Sequence, residues 1–256
     1  CNQYIKFAEL LTTAKGLNAQ YLATGHYIKT EKKDKEKGLF VAKDKEKDQS
    51  YFLFQTKKKD LTYLKFPLGV LDKVETRKLA HKFEINVADK PESQDICFIP
   101  NGNYTEFLKK YSGFGIKGDI VDKNNNILGQ HLGIENYTVG QRKRLNIAIG
   151  KPLYVINILK EENKIIVGEK KDLEEEIINI KEFNWLGPAY YSKKKILKNL
   201  LIKVRARQKP TLGNLELLGN NMARVILEHK TSGVAKGQGC VIYDKNEQML
   251  GGGWIT

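Results

Sequence analysis

Cys97 lies in the stretch Lys90-Pro91-Glu92-Ser93-Gln94-Asp95-Ile96-Cys97-Phe98-Ile99-Pro100, between apolar neighbours and shortly after an acid. Each proline pushes the residue before it out of the α region, so the segment reads as a short extended piece entered and left by turns. A thiol held at a domain edge in this way could act as a nucleophile or take part in disulfide exchange. For that it must ionise, and a free cysteine has a pKa of about 8.5, so nearby cations or a helix N-terminus are needed. The local sequence equally allows Cys97 to be a small buried hydrophobe of a short strand. Asp95 reads either as a group that positions or deprotonates a neighbour or as an ordinary surface acid. Cys1 stands just ahead of a predicted helix, and Cys240 opens an apolar strand and reads as core. There is no Cys-x-x-Cys pair, which argues against a dithiol oxidoreductase. The three cysteines and the histidines at 26, 81, 131 and 229 show no zinc-ligand spacing.

The chain has 256 residues, enough for two or three domains, and a formal net charge of +14. That charge favours a polyanionic partner. No apolar run approaches the roughly twenty residues of a membrane span, so the expected partner is nucleic acid rather than a membrane. A lysine-rich proteome would raise the charge without any such role. Three scattered cysteines do not form a secreted disulfide framework and no signal peptide is visible, which fits a reducing cytoplasm.

The elements that must position these residues follow in order. Apolar residues between Tyr4 and Lys15 recur every three to four positions and Gly16 follows as a stop, which predicts a helix. Tyr21 to Thr24 reads as a buried strand with Gly25-His26-Tyr27 as the loop at its carboxyl end, the edge at which open α/β sheets bind ligands. His26 reads equally well as a structural hydrogen-bonding residue. Residues 29 to 48 are dense in charge around Gly38-Leu39-Phe40-Val41-Ala42, a pattern of a solvated hairpin or loop. Asp72 with Glu75 predicts a capping box for a helix reaching about Phe83, followed by a strand over Glu84 to Ala88. Beyond Pro100 short alternating runs and turn residues predict a mostly β domain, within which Gln141-Arg142-Lys143-Arg144 could touch phosphate. From about Asp172 further strands predict a small barrel. Alternation through Leu200 to Arg207 places Lys203, Arg205 and Arg207 as a cationic stripe on one strand face. Lys236-Gly237-Gln238-Gly239 would let a glutamine approach a ligand closely.

Seven motifs then stand in one register: Cys1-Asn-x-x-Ile-Lys-Phe, Ala23-Thr-Gly-His-Tyr27, Lys47-Asp-Gln-Ser-Tyr-Phe-Leu53, Ser93-x-Asp-Ile-Cys-Phe-Ile99, Tyr137-Thr-Val-Gly-Gln-Arg142, Val204-Arg-Ala-Arg207, and Gly237-Gln238 ahead of Val241-Ile-Tyr-Asp244. Their order and spacing over the whole chain resemble the tRNA-specific 2-thiouridylases. That family also carries a Ser-Gly-Gly-x-Asp-Ser loop for the pyrophosphate of ATP and an acid just upstream of the first cysteine, and neither occurs here. The sequence opens on Cys1 and its only methionines are Met222 and Met249, so it is read as the downstream part of a longer protein.

The resemblance implies an α/β remnant of a PP-loop (adenine nucleotide alpha hydrolase-like) domain at 1–100, a mostly β linker domain at 101–169 and a tRNA-binding β-barrel at 170–256. It implies an ATP- and Mg2+-dependent sulfurtransferase acting on the wobble uridine of tRNA, with the main ATP loop missing. Cys97 would carry the persulfide and Cys1 would release its sulfur. Gly25 would touch the nucleotide, and His26, Lys47, Asp48, Gln49, Arg205, Ala206 and Gln238 the tRNA. The sulfur donor would be a cysteine desulfurase or a sulfur-relay protein. The competing reading is a basic RNA-binding module without catalysis of its own, whose cysteines are incidental.

Overall fold

The computed structural model describes residues 2–33, 36–89, 115–147 and 149–256. The segment before residue 90 forms one compact unit with the segment from Glu175 onward, while the described residues from 115 to 174 belong to a second.

In the first unit the chain starts as predicted with a helix, wound as a π-helix over Asn2–Glu9 and as helix α1 over Leu10–Gly16. Phe7 and Leu11, one turn apart, are the residues it buries, whereas Ile5 and Leu10 of the anticipated apolar face lie outward. Strand β1 (Leu22–Ala23) follows and leads into the Gly25–Tyr27 loop. The charged stretch after it is a hairpin of β2 (Lys29–Lys33) and β3 (Glu36–Phe40), and it is anchored rather than free because Leu39, Phe40 and Ala42 are buried. Strand β4 (Leu64–Lys65) returns parallel to β1, pairing Leu22 with Leu64. Helix α2 (Lys73–Lys82) starts with the expected capping box: the Glu75 amide donates to Asp72 Oδ1 at 2.8 Å and the Asp72 amide to Glu75 Oε2 at 2.7 Å. The strand expected over Glu84 to Ala88 does not form. These residues make turns, with Glu84 at a positive φ and Ile85 and Val87 exposed, so no sheet pays back their β propensity.

The second unit holds a four-stranded sheet in the order β6-β5-β8-β7, built from β5 (Gly118–Val121), β6 (Ile127–His131), β7 (Tyr154–Leu159) and β8 (Lys164–Gly168). Ile120, Val155, Ile165 and Val167 form its core. Gln141 folds back on its own turn, accepting from the Thr138 amide and donating to the Lys143 carbonyl. Arg142 and Arg144, together with Lys151, line a depression of about 570 Å³ in this unit.

The first unit is completed by a closed barrel of β9 (Glu174–Trp185), β10 (Ile196–Lys203), β11 (Thr211–Gly219), β12 (Met222–Ser232), β13 (Gly239–Tyr243) and β14 (Met249–Ile255). Residues on alternate sides of β13 serve two cores. Cys240 and Ile242 point into the barrel with Ile180, Leu215 and Val225, whereas Val241 and Tyr243 point outward onto Phe7, Leu53, Phe54 and Leu64. The α/β segment is therefore packed on the outer wall of the barrel through a shared apolar layer. No helix among the described residues is long and apolar enough to cross a membrane.

Candidate functional site: a histidine cleft and a barrel rim

The loop leaving β1 carries His26 into an aromatic setting. Its ring lies 5.8 Å from that of Phe7 and 6.4 Å from that of Phe66, and the residue is buried. Thr24 Oγ1 is 2.9 Å from Nδ1 and the Lys6 ammonium is 3.5 Å from Nε2. An ammonium only donates, so Nε2 is the acceptor and Nδ1 carries the proton toward Thr24. Burial first, and the Lys6 charge second, hold the imidazole pKa down at about 4. His26 is consequently a neutral ring at physiological pH.

Lys6, Leu10, Thr24, Gly25, His26 and Gln49 are among the residues bordering a cleft of about 400 Å³. Gly25 is exposed, and a Cβ placed on it would meet only Leu68 Cδ1, at 3.6 Å. Its backbone does not demand glycine, so what the missing side chain provides is an open face toward the cleft. Among the described residues, Lys6 brings the one ammonium to that cleft.

Gln49 fixes this loop by a double hydrogen bond. Its amide donates to the Tyr27 carbonyl and its Oε1 accepts from the Tyr27 amide, each at 2.9 Å. Asp48 turns the other way. Its Oδ1 accepts from the amides of Ala42 at 3.0 Å and Ser50 at 3.2 Å, and its Oδ2 from Ser50 Oγ at 2.7 Å. Ser50 Oγ also lies 2.9 Å from the Tyr243 hydroxyl of the barrel. The Asp48 side chain is only 3% exposed and faces the Lys203 ammonium at 3.9 Å. Burial lowers the Lys203 pKa and Asp48 partly restores it. The Lys47 amide bonds Asp44 Oδ1, and Lys47 itself is half-buried.

The remaining sequence-predicted positions gather at the barrel rim. Strand β10 ends at Lys203, so Lys203, Arg205 and Arg207 do not share one strand face as the alternation predicted. Lys203 is drawn inward by Asp48, and Arg205 instead folds over Gly233, donating from Nε to its carbonyl at 2.8 Å. Gly233 permits this with φ +91° and no side chain, since a Cβ there would sit 2.7 Å from Arg205 Cζ. Ala206 is half-buried against the layer between barrel and α/β segment. Gln238 Oε1 is buried without a hydrogen-bond partner, as is Oε1 of Gln208, whose Nε2 donates to Thr231. Both oxygens are buried, and the Gln208 amide donates to the Arg205 carbonyl at 3.3 Å. Sequence reasoning missed Lys6, Thr24 and Gln208. The first two are visible in the motifs around Cys1 and His26, but Gln208 has no sequence signal. Cys1 and Cys97 lie outside the described residues, and Cys240 is the fully buried core thiol expected.

A parallel strand pair ending in a histidine cleft, a small β domain and a closed barrel define an α/β-plus-barrel class of protein, and three family models divide the chain in the same way. A tRNA methyl transferase HUP domain matches residues 1–101, a tRNA methyl transferase PRC-barrel domain residues 105–169 and an aminomethyltransferase beta-barrel domain residues 175–255. Over its whole length the chain is 46% identical to the tRNA-specific 2-thiouridylase MnmA of Rickettsia canadensis, covering 69% of that protein. It is 45% identical to the proteins of the same name from Maricaulis maris and Rickettsia massiliae, covering 63% and 70% of them. The chain belongs to the tRNA-specific 2-thiouridylase family.

Proposed function

We propose that this protein is a tRNA-uridine 2-sulfurtransferase that 2-thiolates the wobble uridine of tRNA with ATP, Mg2+ and a cysteine persulfide. The observation that carries the reading is His26 in a cleft beside Gly25, with its loop clamped by Gln49, on the same compact unit as the barrel rim that holds Arg205 over Gly233. Family membership supports it.

In this reading residues 1–100 are the C-terminal part of the catalytic domain, 101–169 the linker and 170–256 the tRNA-binding barrel. The uridine leaves its stack to enter the cleft, as bases do for enzymes that act on them. ATP supplies the adenylation that turns the C2 oxygen into a leaving group. Gly25 lets the nucleotide approach the backbone, and Lys6 offsets negative charge in the cleft. His26, being neutral, offers hydrogen bonds without adding charge. Cys97 carries the persulfide, and as its terminal sulfur attacks C2 the C2–O bond breaks and the oxygen leaves with AMP. The Cys1 thiolate then cleaves the S–S bond, leaving a Cys1–Cys97 disulfide that a reductant reopens. Arg205, Ala206, Gln238, Lys47, Asp48 and Gln49 form the tRNA-facing side, with Asp48 acting through its neighbours. A cysteine desulfurase or a sulfur-relay protein delivers the sulfur, and the reducing compartment is the cytoplasm.

The test is transfer of labelled sulfur from a persulfide donor to tRNA with ATP, comparing wild type, Cys97→Ser and Cys240→Ala in the full-length enzyme. Thiouridine formed by wild type and Cys240→Ala but absent with Cys97→Ser supports the mechanism. Transfer untouched by the loss of Cys97 would sink the persulfide assignment and leave a basic RNA-binding module.

A further inference from the structure

One hydroxyl group joins the two halves of the barrel rim. Tyr51, from the α/β segment, is 8% exposed, and its OH lies 2.8 Å from the Gly239 carbonyl and 3.2 Å from the Val204 carbonyl. Val204 immediately precedes Arg205 and Ala206, and Gly239 immediately follows Gln238. The two carbonyls belong to different parts of the barrel, one just past the end of β10 and the other at the start of β13, and a single shared proton holds them to one point. Burial is the main cause that raises the Tyr51 phenol pKa to about 12, so that proton is never lost in the physiological range.

The same short segment also reaches the cleft. Two residues earlier Gln49 grips the backbone of Tyr27, next to His26, and between them Ser50 is fastened to Tyr243. The neighbours of Tyr51 are packed as tightly: a Cβ on Gly239 would come within 2.8 Å of the Phe54 ring. Residues 48 to 51 thus contact, in order, Lys203, Tyr27, Tyr243, and the Val204–Gly239 pair. A spacing error at the rim would leave Arg205 and Gln238 unable to meet the same tRNA at once.

We propose that Tyr51 is a positioning residue for tRNA recognition: its hydroxyl fixes the separation of Arg205–Ala206 from Gln238, and residues 48–51 hold that rim in register with the His26 cleft. This rests on the reading of the rim as a tRNA surface. Tyr51 itself touches no substrate. Its contribution is preorganisation, which tightens binding by removing an ordering cost rather than by adding a contact.

The experiment measures tRNA affinity, its salt dependence and the kcat and KM for thiolation in the full-length enzyme. It compares Tyr51→Phe, Arg205→Gln with Gln238→Ala, and Val225→Ala, the last a barrel-core truncation away from the rim that lowers stability by another route. For Tyr51→Phe, Kd and KM for tRNA should rise about five- to tenfold, the scale of one lost hydrogen bond. The slope of log Kd against log salt should stay that of wild type, because no charge is removed. Val225→Ala should lower Tm while leaving Kd unchanged. If the rim double variant weakens binding but Tyr51→Phe does not, the positioning role is wrong and the tRNA-surface reading survives. Equal weakening by Val225→Ala and Tyr51→Phe would reduce Tyr51 to a stability role and overturn the proposal. If the rim double variant binds tRNA like wild type, the surface reading falls and the proposal falls with it.

Discussion

The Lys6 ammonium sits 3.5 Å from His26 Nε2, a cation aimed at the one ring nitrogen whose protonation would make a second cation. With the folded-state pKa of His26 at about 4 and an ordinary value of 6.5, the unfolded chain takes up the proton first as pH falls. The His26 contribution is therefore neutral above about pH 6.5, and stability is lost progressively from there down to about pH 4. His26→Gln should remove that component from urea unfolding curves taken at pH 7 and pH 5. Lys6→Met should raise the His26 titration midpoint measured by NMR, though not to the ordinary value, because burial between Phe7 and Phe66 remains the larger cause.

Gly25 separates ligand approach from folding. The added methyl of Gly25→Ala meets only Leu68 at ordinary contact distance, so unfolding free energy should shift by no more than about 0.5 kcal/mol. Under the proposed mechanism the same methyl occupies the side on which the nucleotide lies, and KM for ATP should rise. An unchanged KM would remove Gly25 from the nucleotide site.

The elements that bracket these residues were legible where the code is local. The Asp72–Glu75 box and the helix at the N-terminus follow from spacing, and the hairpin is one of the two readings, hairpin or loop, that the charged run over 29–48 allows. What local patterns could not supply was which face the tertiary fold would claim. The 200–207 alternation describes a half-buried strand, yet the chain bends and turns from residue 204, after β10 makes its last pairing at Lys203 with Val241, and Asp48, about 150 positions earlier in sequence, faces the Lys203 ammonium. The sequence places Asp48 in a tRNA-contacting triplet at the end of a charged run, and only the three donors converging on it from Ala42 and Ser50 reveal a buried carboxylate. Strand β13 shows no alternation because both of its faces are buried, one in the barrel and one against the α/β segment.

The Asp48 carboxylate predicts a stability phenotype rather than a simple loss of a tRNA contact. Asp48→Ala strips the partners from the amides of Ala42 and Ser50 and from Ser50 Oγ, and leaves Lys203 buried without its opposing charge. A loss of about 3–5 kcal/mol is expected in urea titrations. Asp48→Asn keeps an acceptor oxygen and should lose less. If Asp48→Ala unfolds like wild type while tRNA binding collapses, the side chain contacts RNA directly and the buried network is incidental.

Cys240 should behave as an inert thiol, which gives the reactivity of the other two cysteines a built-in reference. It is fully buried between β10 and β14 in the barrel wall, and burial alone pushes its pKa up to about 12. At pH 8 almost none of it is thiolate, so iodoacetamide should leave it unlabelled in the folded protein and modify it only at the rate of unfolding. Cys240→Ala should cost about 1–2 kcal/mol through the lost packing of one small side chain. Cys240→Ser should cost more, because it buries a hydroxyl among Leu200, Ile202 and Ile242. Mass spectrometry of tryptic peptides after brief alkylation reads all three cysteines in one experiment. Prompt labelling of Cys240 in the native protein would mean that the barrel opens between β13 and a neighbour far more readily than its closed hydrogen-bond ring implies.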